Sequence, residues 1–248
     1  MIVCVGLATR DTVYAVPRHP GPDERVVATE RVVAGGGPAA TAAVTIARLG
    51  VPVRFVGVVD DELEGVEVVR IRGRMVESTI LVSGAARTIV TEEPTRFAAP
   101  PEALADAEWV HVDHVGWGAL PERIDAKLSV DGGNPIPDLD VERVDLYAPT
   151  EQTDDGRRAK LTVVTRGERG CTAYGDGDPI AVPAFPVDPV STLGAGDVFH
   201  GALLACLARG VALRDSLARA NACAALSCRA LDGRSAIPTW DELEAAAA

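Results

Sequence analysis

The stretch Ser191-Thr192-Leu193-Gly194-Ala195-Gly196-Asp197 runs straight into the helical pattern Val198–Arg209. Gly194, Ala195 and Gly196 are small enough to bring the backbone close to a ligand, and the turn they form opens a helix. A helix start leaves N–H groups without intrahelical partners and carries the positive end of the dipole. Asp197 puts a carboxylate at the same point. Backbone donors beside a general base suit transfer of an anionic group to a hydroxyl. A glycine turn serves equally as a plain strand-to-helix connection, so its meaning depends on what accompanies it.

Three other stretches accompany it. Asp11 lies five residues past Gly6, at the end of the apolar run Ile2–Leu7. Strand carboxyl ends line the ligand crevice of a doubly wound sheet, where a carboxylate can accept hydrogen bonds from a polyol. Asp11 also suits a turn or a helix cap. Gly35-Gly36-Gly37-Pro38-Ala39-Ala40-Thr41 enters a helix of very small side chains, which permits close backbone approach, a hinge and tight helix–sheet packing. Thr165-Arg166-Gly167-Glu168-Arg169-Gly170 follows the run Leu161–Val164. It fits a turn passing along a nucleotide, and equally a plain hairpin into Cys171–Tyr174. No Gly-x-x-x-x-Gly-Lys-Ser/Thr loop and no His-Arg-Asp catalytic loop occurs, which excludes P-loop and protein-kinase mechanisms.

Around these stretches, short Val/Ile-rich runs alternate with Ala/Leu helical patterns, the mark of a mostly parallel sheet covered by helices. Strands are expected at Ile2–Leu7, Val53–Val59, Trp109–Val112, Lys127–Val130, Asp145–Tyr147 and Leu161–Thr165. Helices are expected at Pro38–Leu49, Asp197–Arg209, Leu213–Leu231 and Trp240–Ala247. Pro38 suits a first helical position, and Gly50 and Gly210 suit helix stops. β-like pieces at Thr12–Val16, Arg25–Val33, Val66–Arg72, Thr79–Val82 and Thr88–Thr91 are expected to form a small inserted sheet, drawn from about 12–33 and 66–91 of a single domain spanning 1–248. Two connections are short. Neither Asp60–Gly65 nor Ala148–Lys160 carries a helical pattern, although a parallel crossover ordinarily contains a helix. Either these helices are absent from the protein or segments are omitted from the sequence; the spacing favours omission.

In this order and spacing the four stretches resemble the PfkB/ribokinase family of carbohydrate kinases over essentially the whole chain. Gly35–Gly50 resembles the family's first signature and Val190–Gly201 its second. The tail Asp232–Pro238 is most similar to the sulfofructose kinase and ketohexokinase branch. The resemblance implies a ribokinase-like three-layer α/β/α fold with a small β-sheet lid. It implies ATP-dependent phosphorylation of a primary hydroxyl of a small sugar, ketose-like, with sulfofructose or another acidic sugar within its range. Asp197 would be the general base, and the N–H groups of Gly194, Ala195 and Gly196 the anion hole. Asp11, Gly35, Gly36, Gly37 and Thr41 would hold the sugar, with Arg25 as the cation for an acidic substituent. Thr165, Gly167 and Gly170 would lie along ATP, and Asn221 and Ala222 near the adenine. Mg²⁺ would bridge the phosphates mostly through water, with a monovalent cation as a further ion. Members of the family often dimerise through the lid sheet, so a homodimer is a further expectation. A nucleoside kinase and a non-catalytic sugar or nucleotide sensor are the alternatives.

The chain departs from the family pattern in three places. Ser191 stands where the second signature usually has Asp, Thr41 where the first usually has Asn, and Pro149-Thr150-Glu151-Gln152 where many members carry an Asn-x-x-Glu motif that helps place Mg²⁺. His111, Asp113 and His114 invite a metal reading, but no third ligand shares a face with the first two, and no protein-held metal is expected.

Composition agrees. The chain has 248 residues, 47% hydrophobic and 24% charged, with a formal net charge of −12, which disfavours nucleic-acid and anionic-membrane partners. No apolar run is long enough to span a membrane. The start Met1–Gly6 reads as a buried strand without a basic leader. Five scattered cysteines without a Cys-x-x-Cys pair read as buried thiols of a cytoplasmic protein.

Overall fold

The structure, a computed structural model, describes residues 1–84 and 86–247; Ala85 in the expected lid segment and Ala248 lie outside them. In chain order the strands are β1 Ile2–Val5, β2 Thr9–Ala15, β3 Glu30–Gly36, β4 Val53–Gly57, β5 Glu67–Arg70, β6 Val76–Ser83, β7 Ala86–Thr91, β8 Trp109–Val112, β9 Lys127–Gly132, β10 Leu146–Pro149, β11 Leu161–Thr165, β12 Cys171–Tyr174 and β13 Ile180–Val182. The helices are α1 Pro38–Arg48, α2 Ala195–Ala208, α3 Leu213–Ser227 and α4 Trp240–Ala247. Most strands and helices expected from the sequence stand close to their expected bounds, but β3 begins at Glu30 rather than Arg25 and α3 ends at Ser227 rather than Leu231.

Nine strands form the central sheet in the order β13-β12-β11-β10-β9-β8-β1-β4-β5, parallel from β5 to β11 and antiparallel at β12 and β13. β1 pairs with β8 on one side and β4 on the other, so strand order reverses there, and the carboxyl end of β1 opens onto a crevice. The chain leaves β1 into the second sheet, order β3-β2-β6-β7, which stands over that crevice as a lid. Val66–Arg72 does not join this lid, contrary to expectation. Glu67–Arg70 pairs parallel with β4 in register Phe55↔Val68, which extends the edge of the central sheet.

One face of the central sheet packs against all four helices through Ile2, Cys4, Phe55, Leu146 and Val163. Ala39, Ala40 and Ala43 of α1 let the helix sit close to the sheet, and Gly201 lets α1 and α2 cross closely: a Cβ there would stand 2.6 Å from Ala42 O. The other face carries Val3, Val5, Val56, Val110, Val112 and Val130. Here the expected helical layer is reduced to loops and the single 3₁₀ turns Pro101–Leu104, Trp117–Ala119 and Val141–Arg143. Ala103, Ala119, Ile136 and Leu139 cover the valines. Both short crossovers, β4 to β5 and β10 to β11, are made without an α-helix.

Candidate active site

Gly194 caps α2 in the left-handed conformation (φ 72°), which turns the chain so that the first helical turn faces the crevice. Of the three donors expected there, the Ala195 N–H is engaged, 3.3 Å from Thr192 O. Gly196 is exposed, and a Cβ on it would meet nothing in the protein. A bare backbone with open space above a helix start is a cradle for an anionic ligand.

Asp197 is half-buried in this turn. Desolvation and the nearby Asp131 carboxylate push its carboxyl up to about 7. An Asp at its ordinary value would be ionised at every physiological pH; this one titrates near neutrality and is a correspondingly stronger base.

Asp197 lines a cavity of about 350 Å³, within the range of small-ligand pockets. Asp11 lines the same cavity, 7% exposed, with Thr9 donating to its Oδ1 at 2.7 Å. Burial raises the Asp11 carboxyl, and the Thr9 hydroxyl and the Arg234 charge partly offset this. Gly36 must be bare, because Asp11 and the Thr9 hydroxyl occupy the place of its Cβ. Gly35, Gly37 and Thr41 also line the cavity, and Gly37 leads into α1 at φ 88°. Asp11, the three glycines, Thr41 and Asp197 are therefore brought to one cavity.

Arg25 is not. β2 and β3 pair from Thr9↔Gly36 to Ala15↔Glu30, and Arg25 lies exposed in the loop beyond the Ala15 end, away from Asp11 and the glycines. Two other cations take its place. Arg234 reaches under the glycine turn, donating through Nε to Thr41 Oγ1 and through Nη2 to Gly36 O. Arg87 of β7 lines the cavity and donates to Thr192 Oγ1 at 3.0 Å.

Farther along the cavity, Thr165 lines it beside Thr150. Gly167 and Gly170 bound the 3₁₀ turn Gly167–Arg169 after β11 and do not line it. Asn221 spends its amide on the Val182 and Pro183 carbonyls, and Ala222 is buried in the helical core. The Asn221 bonds hold α3 against the end of β13.

Asp113 accepts N–H groups from Leu7 and Ala39 on Oδ2 and from Val115 and Gly116 on Oδ1, which leaves it as a staple joining β1, α1 and β8. His111 bonds Ser129 Oγ. Among the described residues no three His, Cys, Asp or Glu side chains converge on a possible metal. The Thr150 and Thr153 hydroxyls bond each other, and Thr153 donates to Gly132 O. Side chains here do not fit a directly ligated Mg²⁺, which would have to be carried by nucleotide phosphates and water. Ser191 is buried and accepts the Leu193 N–H, so no carboxylate for a monovalent cation stands there.

Neither Asp131 nor His200 was given a site role from the sequence. Both line the cavity. The strand at Lys127–Val130 continues to Gly132, and Asp131 at its carboxyl end meets the strand-end criterion that singled out Asp11.

Comparison with known proteins gives a consistent result. The model of pfkB family carbohydrate kinases matches residues 1–115 and 146–240. The ribokinase of Bacillus subtilis (strain 168) is 26% identical over 286 residues, covering 98% of this chain and 98% of that protein. Fructokinase-2 of Zea mays is 39% identical over 87 residues, 32% of this chain and 26% of that protein. Among solved structures, ribokinase from Thermotoga maritima has a TM-score of 0.80 at 22% identity, covering 100% of this chain and 99% of that one. Arabidopsis thaliana ribokinase complexed with ribose and ATP has a TM-score of 0.78 at 19% identity, covering 99% and 97%.

Proposed function

From the premise that this chain belongs to the pfkB family of carbohydrate kinases, ATP-dependent sugar kinases, we propose that it phosphorylates a primary hydroxyl of a small ketose-like sugar. The observation that carries this reading is that Asp197 at the start of α2 and Asp11 on the lid line one cavity. Asp11, Thr41 and the Gly35–Gly37 backbone hold the sugar hydroxyls. That arrangement leaves the acceptor hydroxyl at the Asp197 end, where the carboxylate takes its proton as the bond to phosphorus forms. The free N–H groups at the start of α2 and the Arg87 guanidinium stabilise charge on the transferred group. In a loose phosphoryl-transfer transition state, positioning and charge neutralisation dominate and the base acts late. ATP would approach from the Thr165 side. Arg25 lies away from Asp11 and the glycines, Arg234 is tied to Thr41 and Gly36, and Arg87 is tied to Thr192; a neutral ketose is therefore favoured over sulfofructose. Five buried free thiols, Cys4, Cys171, Cys206, Cys223 and Cys228, suit a reducing compartment such as the cytoplasm.

The test is ATP turnover against fructose, ribose, sulfofructose, tagatose phosphate and adenosine, with Asp197→Asn as control. Turnover with a sugar that falls by two decades or more in the variant supports the proposal. Preference for adenosine would move the enzyme to the nucleoside kinases. Binding of sugar and nucleotide with no turnover would make it a sensor.

A further inference from the structure

His200 lies one helical turn beyond Asp197 on α2, on the same face. Its Nδ1 stands 3.0 Å from Asp131 Oδ2, and both side chains are 5% exposed. The second oxygen of Asp131 accepts the Gly133 N–H at 2.7 Å. Asp131, His200 and Asp197 thus form one wall of the cavity. Behind them His111 lies with its ring centroid 6.0 Å from that of His200, its Nδ1 on Ser129 Oγ and its Nε2 without a hydrogen bond.

We propose that His200 is a positioning residue for phosphoryl transfer, held as an imidazolium by Asp131 so that this carboxylate is cancelled and Asp197 alone remains to accept the hydroxyl proton. The proposal rests on the kinase reading above and adds a residue to it.

The reasoning is electrostatic. Two carboxylates share the wall that a polyphosphate must approach, and without a cation between them each opposes ionisation of the other and repels the incoming phosphates. Removing one partner of a buried ion pair leaves the other charge uncompensated, so the pair acts as a unit. The charged groups around it are few. His111 from β8, Asp131 from β9 and Asp197 from α2 itself act on it directly; Asp113 after β8, Arg87 from the lid strand β7 and Arg234 from the segment after α3 act on its neighbour Asp197. Arg87 and Arg234 are tied to Thr192, Thr41 and Gly36, and Asp113 to four backbone N–H groups. His200 is the cation in direct contact with Asp131.

The titration directions agree. Desolvation lowers His200, but Asp131 outweighs it and the imidazole ends above its ordinary value. Desolvation raises Asp131, but the His200 charge 3.0 Å away outweighs it and the carboxyl ends below its ordinary range. Burial and the His200 charge push His111 down to about 3, so the inner imidazole is neutral.

The test is the pH profile of kcat/KM for His200→Gln, which removes the charge and keeps an amide donor, beside Asp131→Asn/His200→Gln. With the imidazolium gone and Asp131 uncompensated, Asp197 holds its proton to higher pH. The acid limb is expected to move up by about one pH unit, so the loss is about tenfold greater at pH 6 than at pH 9. The double variant, with both charges removed, is expected to return the limb toward its original position. A loss of equal factor at every pH, with the double variant no better than the single, would mark a structural role and overturn the proposal. Imidazole ¹⁵N shifts of the unmodified enzyme decide the matter even if a variant folds poorly. A charged His200 at pH 7.5 supports the proposal and a neutral one overturns it. The two readings fail separately: an undiminished Asp197→Asn sinks the base, whereas an inactive Asp197→Asn with an unshifted His200→Gln profile sinks only the role of His200.

Discussion

Arg234 donates through Nε to Thr41 Oγ1 at 3.1 Å, so a side chain from the segment after α3 braces the second turn of α1 directly beside the polyol pocket. The same guanidinium donates to Gly36 O, and its Nη1 occupies the place a Cβ on Gly35 would need. Burial pulls Arg234 down to about 10, which still leaves it charged at neutral pH. Gly35→Ala would displace a pinned side chain. We expect Gly35→Ala to raise the sugar KM about tenfold, equivalent to about 1.4 kcal/mol. In an Arg234→Ala background the same substitution should add little, and a double-mutant cycle on KM measures this coupling.

Asp197 gives two opposite pH dependences. As a base it works when ionised, so kcat/KM should rise as pH increases through about 7 and level off above it. For stability the sign reverses. A carboxyl titrating near 7 in the folded state and near 3.9 when unfolded binds more protons folded than unfolded across that window, so its contribution to stability falls as pH rises from about 4 to 7. Asp197→Asn should therefore raise the melting temperature at pH 8, with little change at pH 4. Thermal melts at the two pH values check this.

Gly196 separates ligand binding from folding. A methyl group there meets no protein atom, and alanine suits a helix start better than glycine. Gly196→Ala is expected to leave stability unchanged or improve it by about 0.5 kcal/mol, yet to lower kcat/KM by tenfold or more by filling the phosphate cradle. A paired urea melt and turnover assay reads both; equal kinetics would remove Gly196 from the site.

Asp113 is 1% exposed and accepts four backbone N–H groups. Asparagine of the same shape turns an NH₂ group toward two of these donors. Asp113→Asn should cost about 2–4 kcal/mol in urea unfolding, more than an ordinary surface change.

The parallel sheet, the four helices and both ends of the cavity were legible because each rests on a local pattern: alternation in period, Pro38 at a helix start, small residues before Asp197. The placement of Arg25 was not. It depends on where the β2–β3 pairing runs out, at Ala15↔Glu30, and no local pattern fixes that register. Val66–Arg72 has the composition of a lid strand, and only its pairing with β4 puts it in the central sheet. The His200–Asp131 contact joins a helix to a strand far away in sequence, and a lone buried histidine gives no sign of its partner. The reduced second face left a trace in the short spacings at 60–65 and 148–160. The general need for a crossover helix points to missing sequence there, and in the structure loops and 3₁₀ turns cover the valines.

Gly201 has a consequence for substrate choice. With no side chain there, α1 and α2 are wedged together at one crossing, and Thr41 and Asp197 sit near the amino ends of these two helices. The span between these two residues is thereby set by the packing of two helices on each other. The enzyme then measures its acceptor like a caliper with a fixed gap. On the proposed reading, a sugar whose hydroxyl fell short of Asp197, or overshot it, would be refused by length alone.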